Sequence, residues 1–318
     1  MPYLIQQRFK VFMKKYVVGV DVGGTNIKLG LVHPRGVVIA RSHFPTKPFS
    51  SSKKKLIGVL AHEIEKIITS QGLKDKDIAG VGVGVPGLVD FDKGVVRFLP
   101  NIPGWKNVPL KAILEKKLKL PVYVDNDVKL ITLAEWKFGA GCGVKNLICL
   151  TLGTGVGSGL ILDNRLYRGS ANAAGELGHM PLNEKGPACN CGGFGCFEKY
   201  VGNQSLFALA DQVMKKSDMT TQKMFALANA GNLKALQFWR EAATHMGNGL
   251  VGVVNLLNPQ LIVIGGGVSN NEKYLFPTIK EVIKKRSMSL QGSMVKIKRA
   301  KFGDDAGIIG AQVLVDNA

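Results

Sequence analysis

A short apolar strand that runs into a glycine-rich loop occurs twice in this chain. The first copy is Tyr16–Asp21 with the loop Gly23–Thr25, and the second is Leu147–Leu152 with the glycines of GTGVGSG. A shift that places Gly23 on Gly153 brings both apolar runs into register, although few residues are identical. Each copy continues as a strand meander and then as alternating helices and strands. The pattern predicts two α/β lobes with a cleft between them.

The predicted elements follow from hydrophobic period and from turn residues. The predicted strands are Tyr16–Asp21, Ile27–Val32, Val37–Phe44, Ile78–Val85, Pro121–Val124, Leu147–Leu152, Leu160–Leu162, Gln260–Ile264 and Met294–Phe302. The predicted helices are Lys53–Ser70, Pro109–Lys119, Val128–Phe138, Gln204–Lys216, Thr221–Ala230, Leu233–Leu257, Tyr274–Lys285 and Asp304–Asp316.

Glycines and polar side chains follow many of these strands. They stand at Asp21–Thr25, Val85–Gly87, Asp125–Asp127, Gly153–Gly155 and Gly265–Gly267. Ligands of such sheets bind beyond the carboxyl ends of the strands. We therefore expect the five segments to meet at one site in the cleft.

The composition is that of a globular cytoplasmic protein. The 318 residues are 46% hydrophobic and 20% charged, which is ordinary for a globular chain. The first residues lack the uninterrupted apolar core of a secretory signal, and no apolar run reaches the length of a membrane span. Five cysteines, an odd number, favour a reducing compartment. We expect a cytoplasmic protein with no membrane partner.

A net charge of +19 allows three interpretations. It is consistent with nucleic-acid binding, with a solvated lysine-rich surface, or with attraction of anionic small molecules. The basic residues are dispersed and no aromatic residues are interleaved with them, which favours the solvated surface. We expect no nucleic-acid partner.

A set of possible metal ligands lies between Glu176 and Glu198. His179, Cys189, Cys191 and Cys196 form a complete Cys₃His set for tetrahedral Zn²⁺, with no position left for water or substrate. The pattern predicts a structural zinc. The flanking carboxylates of Glu176 and Glu198, together with a second nitrogen of His179, suit hydrogen bonding to the vicinal hydroxyls of a sugar.

The segment DVGGTN has the chemistry of a phosphate and Mg²⁺ site. Its glycines let backbone N–H groups approach phosphate oxygens, and the Asp21 carboxylate suits Mg²⁺. A simple hairpin turn is the alternative for this segment. GTGVGSG offers the same donors from the second half of the chain, so two loops that face one cleft would hold a polyphosphate from both sides.

Asp125–Asn126–Asp127 follows a predicted strand and precedes a predicted helix. An aspartate there can accept the proton of a hydroxyl that attacks phosphorus. The alternative is that one of these residues merely caps the helix. Asp127 is the candidate catalytic base.

The motifs together resemble the ROK family of repressors and sugar kinases. DVGGTNIKLG, GVGVPG, LPNIPGW, VDND, GTGVGSG, ELGH and CNCGGFGCFE occur here in the order seen in that family. The resemblance implies two ribonuclease-H-like domains of the actin-like ATPase fold. We expect an N-terminal lobe of residues 1–125, which the helix 304–318 joins, and a C-terminal lobe of residues 126–303.

The resemblance also implies roles for individual residues. Asp127 would be the general base, and the four metal ligands named above would hold zinc. The expected sugar-binding residues are Pro86, Gly87, Asn101, Asn126, Asp127, Glu176, His179 and Glu198. The expected residues for Mg·ATP are Asp21, Gly23, Gly24, Thr25, Lys28, Gly153, Thr154, Gly155, Gly265, Gly266 and Gly267.

The activity that this resemblance implies is transfer of the γ-phosphate of Mg·ATP to the 6-hydroxyl of glucose, in a homodimer. N-acetylmannosamine, fructose or another hexose as acceptor, polyphosphate as donor, and a non-catalytic sugar sensor are the alternatives. ROK repressors carry an N-terminal DNA-binding winged helix. About fifteen residues precede the first predicted strand, fewer than such a domain needs, and Asp127 is present. Both features favour an enzyme.

Overall fold

The structure is a computed structural model that describes residues 15–99, 102 and 104–318. Asn101, an expected sugar ligand, lies outside the described residues. Within this part of the chain the strands are β1 Tyr16–Val22, β2 Asn26–His33, β3 Val37–Pro45, β4 Ile78–Val85, β5 Leu88–Asp90, β6 Val95–Phe98, β7 Lys106–Val108, β8 Val122–Asn126, β9 Leu147–Leu152, β10 Val156–Leu162, β11 Arg165–Leu166, β12 Leu261–Gly265 and β13 Lys296–Arg299.

The described α-helices surround these strands. They are α1 Lys53–Thr69, α2 Leu110–Leu118, α3 Asp127–Lys137, α4 Glu198–Val201, α5 Asn203–Met214, α6 Thr221–Asn229, α7 Leu233–Leu257, α8 Glu272–Arg286, α9 Ser289–Met294 and α10 Ala306–Asp316. Among the residues that the structure describes, no helix is both long enough and apolar enough to cross a membrane.

The first sheet has the strand order β3-β2-β1-β4-β8. β1, β2 and β3 form an antiparallel meander, and β4 and β8 run parallel to β1. Nearly every residue of β4 is buried, as expected for a central parallel strand that is covered on both faces. The parallel strands bring Asp21, Val85 and Asp125 to the same edge of the sheet.

The second sheet repeats this arrangement in the order β11-β10-β9-β12-β13. β9 and β10 are antiparallel, and β12 and β13 run parallel to β9. The glycine loop is shorter than the sequence predicted, because β10 begins at Val156 and leaves only Gly153–Gly155 as the turn.

The structure also differs from the sequence prediction at one strand and in one additional sheet. The segment predicted as the strand Met294–Phe302 contains the end of α9 and only four strand residues, Lys296–Arg299. The small antiparallel sheet β5-β6-β7 was not predicted. Its strands have three or four residues, too few to show a period of two.

The last helix, α10, packs against β1, β4 and α3. The approach depends on glycines: a Cβ at Gly19 would overlap the backbone of Ile308, and a Cβ at Gly310 would overlap the backbone of Leu130. A predominantly buried α10 therefore lies between the first sheet and α3. The domain division at residues 125 and 303 stays a prediction.

Candidate functional site

The junction of β8 and α3 carries the candidate base. Asn126 is the N-cap of α3, and its Oδ1 accepts hydrogen bonds from the N–H groups of Val128 (3.0 Å) and Lys129 (3.3 Å). Its Nδ2 donates to the carbonyl of Gly87 at 3.2 Å. The capping alternative therefore applies to Asn126, whose side chain also fixes the Pro86–Gly87 turn beside Asp127.

Asp127 is the first residue of α3, and its carboxylate accepts a hydrogen bond from the N–H of Val128 at 2.8 Å. Burial, together with the negative charges of Asp21 and Glu176, raises the pKa of Asp127 to about 7, although the hydrogen bond from the Val128 N–H opposes the shift. A carboxyl group with a pKa near neutral can both accept and hold a proton at physiological pH. The carboxylates of Asp21 and Glu176 are therefore both close enough to Asp127 to raise its pKa.

A cavity of about 520 Å³ lies between the two sheets. Asp21 of β1, Lys28 of β2 and Gly265–Gly267 at the end of β12 line it together. Burial raises the pKa of Asp21, with Asp304 adding to the effect and Lys28 opposing it. Lys28 pairs with Asp304 at 3.0 Å. A buried carboxylate on the wall of a polar cavity is a ligand position for a hard cation such as Mg²⁺.

Sequence reasoning missed two cations of this cavity. Arg299 and Lys301 line it beside Lys28. Arg299 donates a hydrogen bond to Asn270 Oδ1 at 2.5 Å, and both basic residues are exposed. Only the pairing of β13 with β12 brings them here, so no local motif marks them.

The turn Gly23–Thr25 between β1 and β2 is held by Thr46. The Thr46 hydroxyl donates to the carbonyl of Gly23 at 2.7 Å, and the Thr46 N–H donates to the carbonyl of Thr25 at 2.9 Å. Thr46 is fully buried, whereas Gly24 and Thr25 are exposed. The Gly23 N–H donates to the carbonyl of Asn26 at 3.0 Å, so the turn is a fixed backbone in which the exposed Gly24 and Thr25 are the residues placed to offer N–H groups to a phosphate.

The second glycine loop, Gly153–Gly155, lies against Glu198. The N–H of Val156 donates to Glu198 Oε2 at 2.8 Å, and a Cβ at Gly155 would come within 2.6 Å of the same oxygen. The structure thus brings a predicted sugar ligand and a predicted phosphate loop into contact.

Glu176 is exposed, and its backbone is fixed on both sides by Ser158. The buried Ser158 hydroxyl donates to the carbonyl of Gly175 and accepts a hydrogen bond from the N–H of Leu177 at 3.2 Å. Sequence reasoning missed Ser158, which lies in the middle of a strand with no feature that sets it apart.

The four predicted metal ligands come together. The donor atoms of His179, Cys189, Cys191 and Cys196 all lie within 4.8 Å of one another. Nδ1 of His179 is 3.7 Å from the Cys189 sulfur, and the Cys191 and Cys196 sulfurs are 3.6 Å apart. Thiolates about 2.3 Å from a tetrahedral centre would be separated by about 3.8 Å, so this donor set fits Zn²⁺.

The metal-ligand cluster connects the segments of the two glutamates. The N–H of Phe197 donates to the carbonyl of Met180 at 2.8 Å, which joins the chain beside Cys196 to the chain beside His179. Phe197 is fully buried against α7. A metal here would fix the spacing of Glu176 and Glu198.

The sequence profile of the ROK family matches residues 17–318, nearly the whole chain. The chain belongs to the ROK family. The prediction of family membership is confirmed, and with it the actin-like ATPase fold of mixed α/β sheets.

Curated ROK relatives include both an enzyme and a repressor. A glucokinase of Halalkalibacterium halodurans is 33% identical, with 95% of each chain covered. A xylose repressor of Caldicellulosiruptor bescii is also 33% identical, with 94% of this chain and 77% of the repressor covered.

Solved ROK structures superpose on this chain over most of its length. A ROK hexokinase from Thermus thermophilus has a TM-score of 0.82 and 34% identity, covering 95% of this chain and 100% of the other. A ROK glucokinase from Streptomyces griseus, solved in complex with glucose and AMPPNP, has a TM-score of 0.78 and 29% identity, with the same coverage.

Two further residues that sequence reasoning missed lie close to the candidate base. Lys129 is nearly completely buried in the first turn of α3, and Arg168 follows β11. Lys129 interrupts the apolar run of α3, a signal that the sequence contained. Arg168 lies in a polar loop, and the sequence around it has no feature that would indicate a place near the candidate base.

Proposed function

We propose that this ROK protein is a glucokinase, which transfers the γ-phosphate of Mg·ATP to the 6-hydroxyl of glucose. The observation that carries the proposal is the carboxylate of Asp127 at the start of α3, near enough to both Asp21, on the wall of the cavity between the sheets, and Glu176, beside the metal-ligand cluster, for their charges to raise its pKa. A base with a pKa of about 7 at that point suits deprotonation of a hydroxyl that attacks a phosphoryl group.

The sugar would lie against the metal-ligand segment. Glu176 and Glu198 would accept hydrogen bonds from sugar hydroxyls, and His179 would contribute the ring nitrogen that does not face the cluster. Because Asn126 caps α3, its part would be to hold the Pro86–Gly87 turn against the sugar.

The nucleotide would occupy the cavity between the sheets. Gly265–Gly267 would approach the nucleoside. The turns Gly23–Thr25 and Gly153–Gly155 would offer the N–H groups of Gly24, Thr25, Thr154 and Gly155 to the phosphates, since the N–H groups of Gly23 and Gly153 close their own turns. Lys28 would add a positive charge on the cavity wall. Mg²⁺ bound with ATP would neutralise charge on the transferred phosphoryl group, and Asp21 would hold that ion.

Zinc would bind at the metal-ligand cluster with a structural role. The four donors leave no open position, so the metal would supply no chemistry to the reaction. Its effect would be to hold the chain segments that carry the two glutamates.

A coupled assay for sugar-dependent ADP release tests the proposal. The panel is glucose, N-acetylmannosamine, N-acetylglucosamine, mannose and fructose, each with saturating Mg·ATP. We expect the highest kcat/KM with glucose. A higher value with another hexose would assign the protein to a different ROK kinase activity.

Two alternatives rest on specific observations. The 33% identity to a xylose repressor favours a protein that binds sugar without turnover. Lys28, Arg299 and Lys301, which all line the cavity between the sheets, favour polyphosphate as a donor. Sugar binding without ADP release would support the first, and glucose phosphorylation with polyphosphate in place of ATP would support the second. A homodimer in the cytoplasm, with no nucleic-acid or membrane partner, stays a prediction.

A further inference from the structure

A cluster of charges lies next to Asp127, centred on the Asp125 carboxylate. Asp125 is fully buried, and both Nε and Nη2 of Arg168 bind its Oδ2, at 2.9 and 2.8 Å. The Lys129 ammonium is 3.9 Å from its Oδ1. The proposed phosphoryl transfer assigns no part to these three residues.

Lys129 lies at a position where a positive charge is energetically unfavourable. It is 4% exposed, and burial lowers its pKa against the effect of Asp125. It also lies in the first turn of α3, where the helix dipole disfavours positive charge. A group in this position has to be stabilised by partners.

Besides Asp125, Lys129 has a hydrogen-bond partner in the segment that leads to Glu176. The Lys129 ammonium donates a hydrogen bond to the carbonyl of Asn172 at 2.6 Å. The Asn172 side chain donates to Asp92 at 3.3 Å, and the Arg168 guanidinium stacks on the ring of Phe91 at 3.8 Å. The segment between Arg168 and Glu176 is therefore attached to β8, to α3 and to the β5–β6 turn.

The same segment ends at the candidate sugar ligand. Ser158 fixes the backbone around Glu176 from the side of β10, and Lys129 fixes Asn172 four residues earlier. The negative charge of Glu176 acts on both Asp127 and Lys129. Lys129 thus connects the helix that carries the base to the loop that carries the sugar-binding acid.

We propose that Lys129 is a positioning residue for sugar recognition: its ammonium, shared between Asp125 and the Asn172 carbonyl, holds Glu176 opposite Asp127. Arg168 supports the same arrangement from the other oxygen of Asp125. This inference rests on the proposed function of Glu176 as a sugar ligand.

The test measures the Kd of the sugar by titration calorimetry together with KM and kcat. Lys129→Met keeps the length of the side chain and removes its charge. We expect sugar Kd and KM to rise about tenfold, while the KM for ATP changes less than about twofold. The matched control is Lys137→Met on the exposed face of α3, with unchanged constants.

A double-mutant cycle separates positioning from a general loss of structure. In a Glu176→Gln background, Lys129→Met should weaken sugar binding less than about threefold, since the group that it positions is already altered. Equal losses in both backgrounds, an unchanged sugar Kd, or equal losses for sugar and ATP would overturn the proposal. If Lys129→Met does not fold, Arg168→Lys, whose side chain is 21% exposed, takes its place with the same expected pattern.

Direct binding also separates this inference from the proposed kinase activity. A wild-type protein that binds a hexose without turnover would contradict the kinase proposal. The sugar Kd of the wild type and of Lys129→Met could still be compared, so the inference about Lys129 would still be tested. A wild-type protein that binds none of the hexoses would overturn both.

Discussion

The carboxylate of Glu198 accepts a hydrogen bond of 2.8 Å from the backbone N–H of Val156. Glu198 follows Cys196 by two residues, and Val156 follows the loop Gly153–Gly155. The metal-ligand segment and the glycine loop are therefore coupled through one carboxylate. A disturbance of the metal-ligand cluster should reach both the proposed sugar-binding acids and the proposed phosphate loop.

Replacement of Cys191 by Ser tests this coupling. We expect zinc content to fall from about one ion per chain to near zero, because a structural site needs all four ligands. Sugar affinity should fall with it, as Glu176 and Glu198 lose their fixed spacing. Metal analysis and sugar titration check both results, with Cys142→Ser at an exposed cysteine outside the cluster as control. Absence of zinc from the pure wild-type protein would contradict the zinc assignment.

Asp127→Asn should lower kcat by about 10²- to 10⁴-fold and leave sugar affinity nearly unchanged, because the amide cannot accept the proton. In the wild type the base must be ionised. With a pKa of about 7 for Asp127, kcat/KM should fall as the pH drops below 7 and be about tenfold lower at pH 6 than at pH 8. Turnover that survives the substitution would contradict the role of Asp127 as base.

The raised pKa of Asp127 also predicts a stability effect. Between the ordinary carboxyl pKa of 3.8 and about 7, the folded protein holds a proton that the unfolded chain releases, so stability falls as the pH rises through this window. Asp127→Asn removes this penalty and should stabilise the protein at pH 8 by about 0.5–2 kcal/mol. The gain should disappear near pH 4. Denaturant unfolding at the two pH values measures it, and a gain of equal size at both would contradict the explanation.

Ser158→Ala removes the hydroxyl that bonds to the backbone before and after Glu176. We expect a loss of about 1–3 kcal/mol in the free energy of unfolding, since the carbonyl of Gly175 and the N–H of the buried Leu177 lose their partner. Sugar affinity should also fall. Ser51→Ala, at an exposed turn, serves as the control in unfolding and sugar titrations. An unchanged sugar affinity would mean that Glu176 keeps its position without this bond.

Glu135→Gln tests how α3 is attached to the chain that enters α10. The fully buried carboxylate accepts hydrogen bonds from the N–H groups of Lys301 (2.7 Å), Phe302 (2.9 Å) and Ala140 (3.0 Å). An amide keeps only one acceptor, and we expect a loss of about 1.5–3 kcal/mol by thermal or denaturant unfolding. Glu65→Gln on the exposed face of α1 should have almost no effect. Equal stabilities of the two variants would contradict the prediction.

Repetition made the two sheets predictable from the sequence. The runs Tyr16–Asp21 and Leu147–Leu152 are apolar, short and followed by glycines, and they became β1 and β9. The metal ligands were predictable for a different reason. Their side-chain chemistry is rare and their spacing is short, so a local stretch of sequence specifies the cluster.

Other parts of the candidate site could not be read from local sequence. Asp125, Asn126 and Asp127 are adjacent polar residues, and the sequence did not decide which one caps α3. The first turn of the helix decided it. Asn126 Oδ1 accepts hydrogen bonds from the N–H groups of both Val128 and Lys129, whereas the Asp127 carboxylate accepts one from Val128. The segment Met294–Phe302 looked like one strand because its apolar residues alternate over too short a span to distinguish helix from strand.

The sequence alone determined the family, the repeated α/β pattern and the four metal ligands, because short motifs of residues that are close together in the chain specify each of them. Tertiary structure decided which charges meet. Arg168 reaches Asp125 across 43 positions, and Glu198 reaches Val156 across 42. A pKa of about 7 for Asp127 likewise arises from burial and from the charges of Asp21 and Glu176, which the chain brings together only on folding. Electrostatic energy depends on distance in space and on exclusion of water, and neither is recorded in the order of the residues.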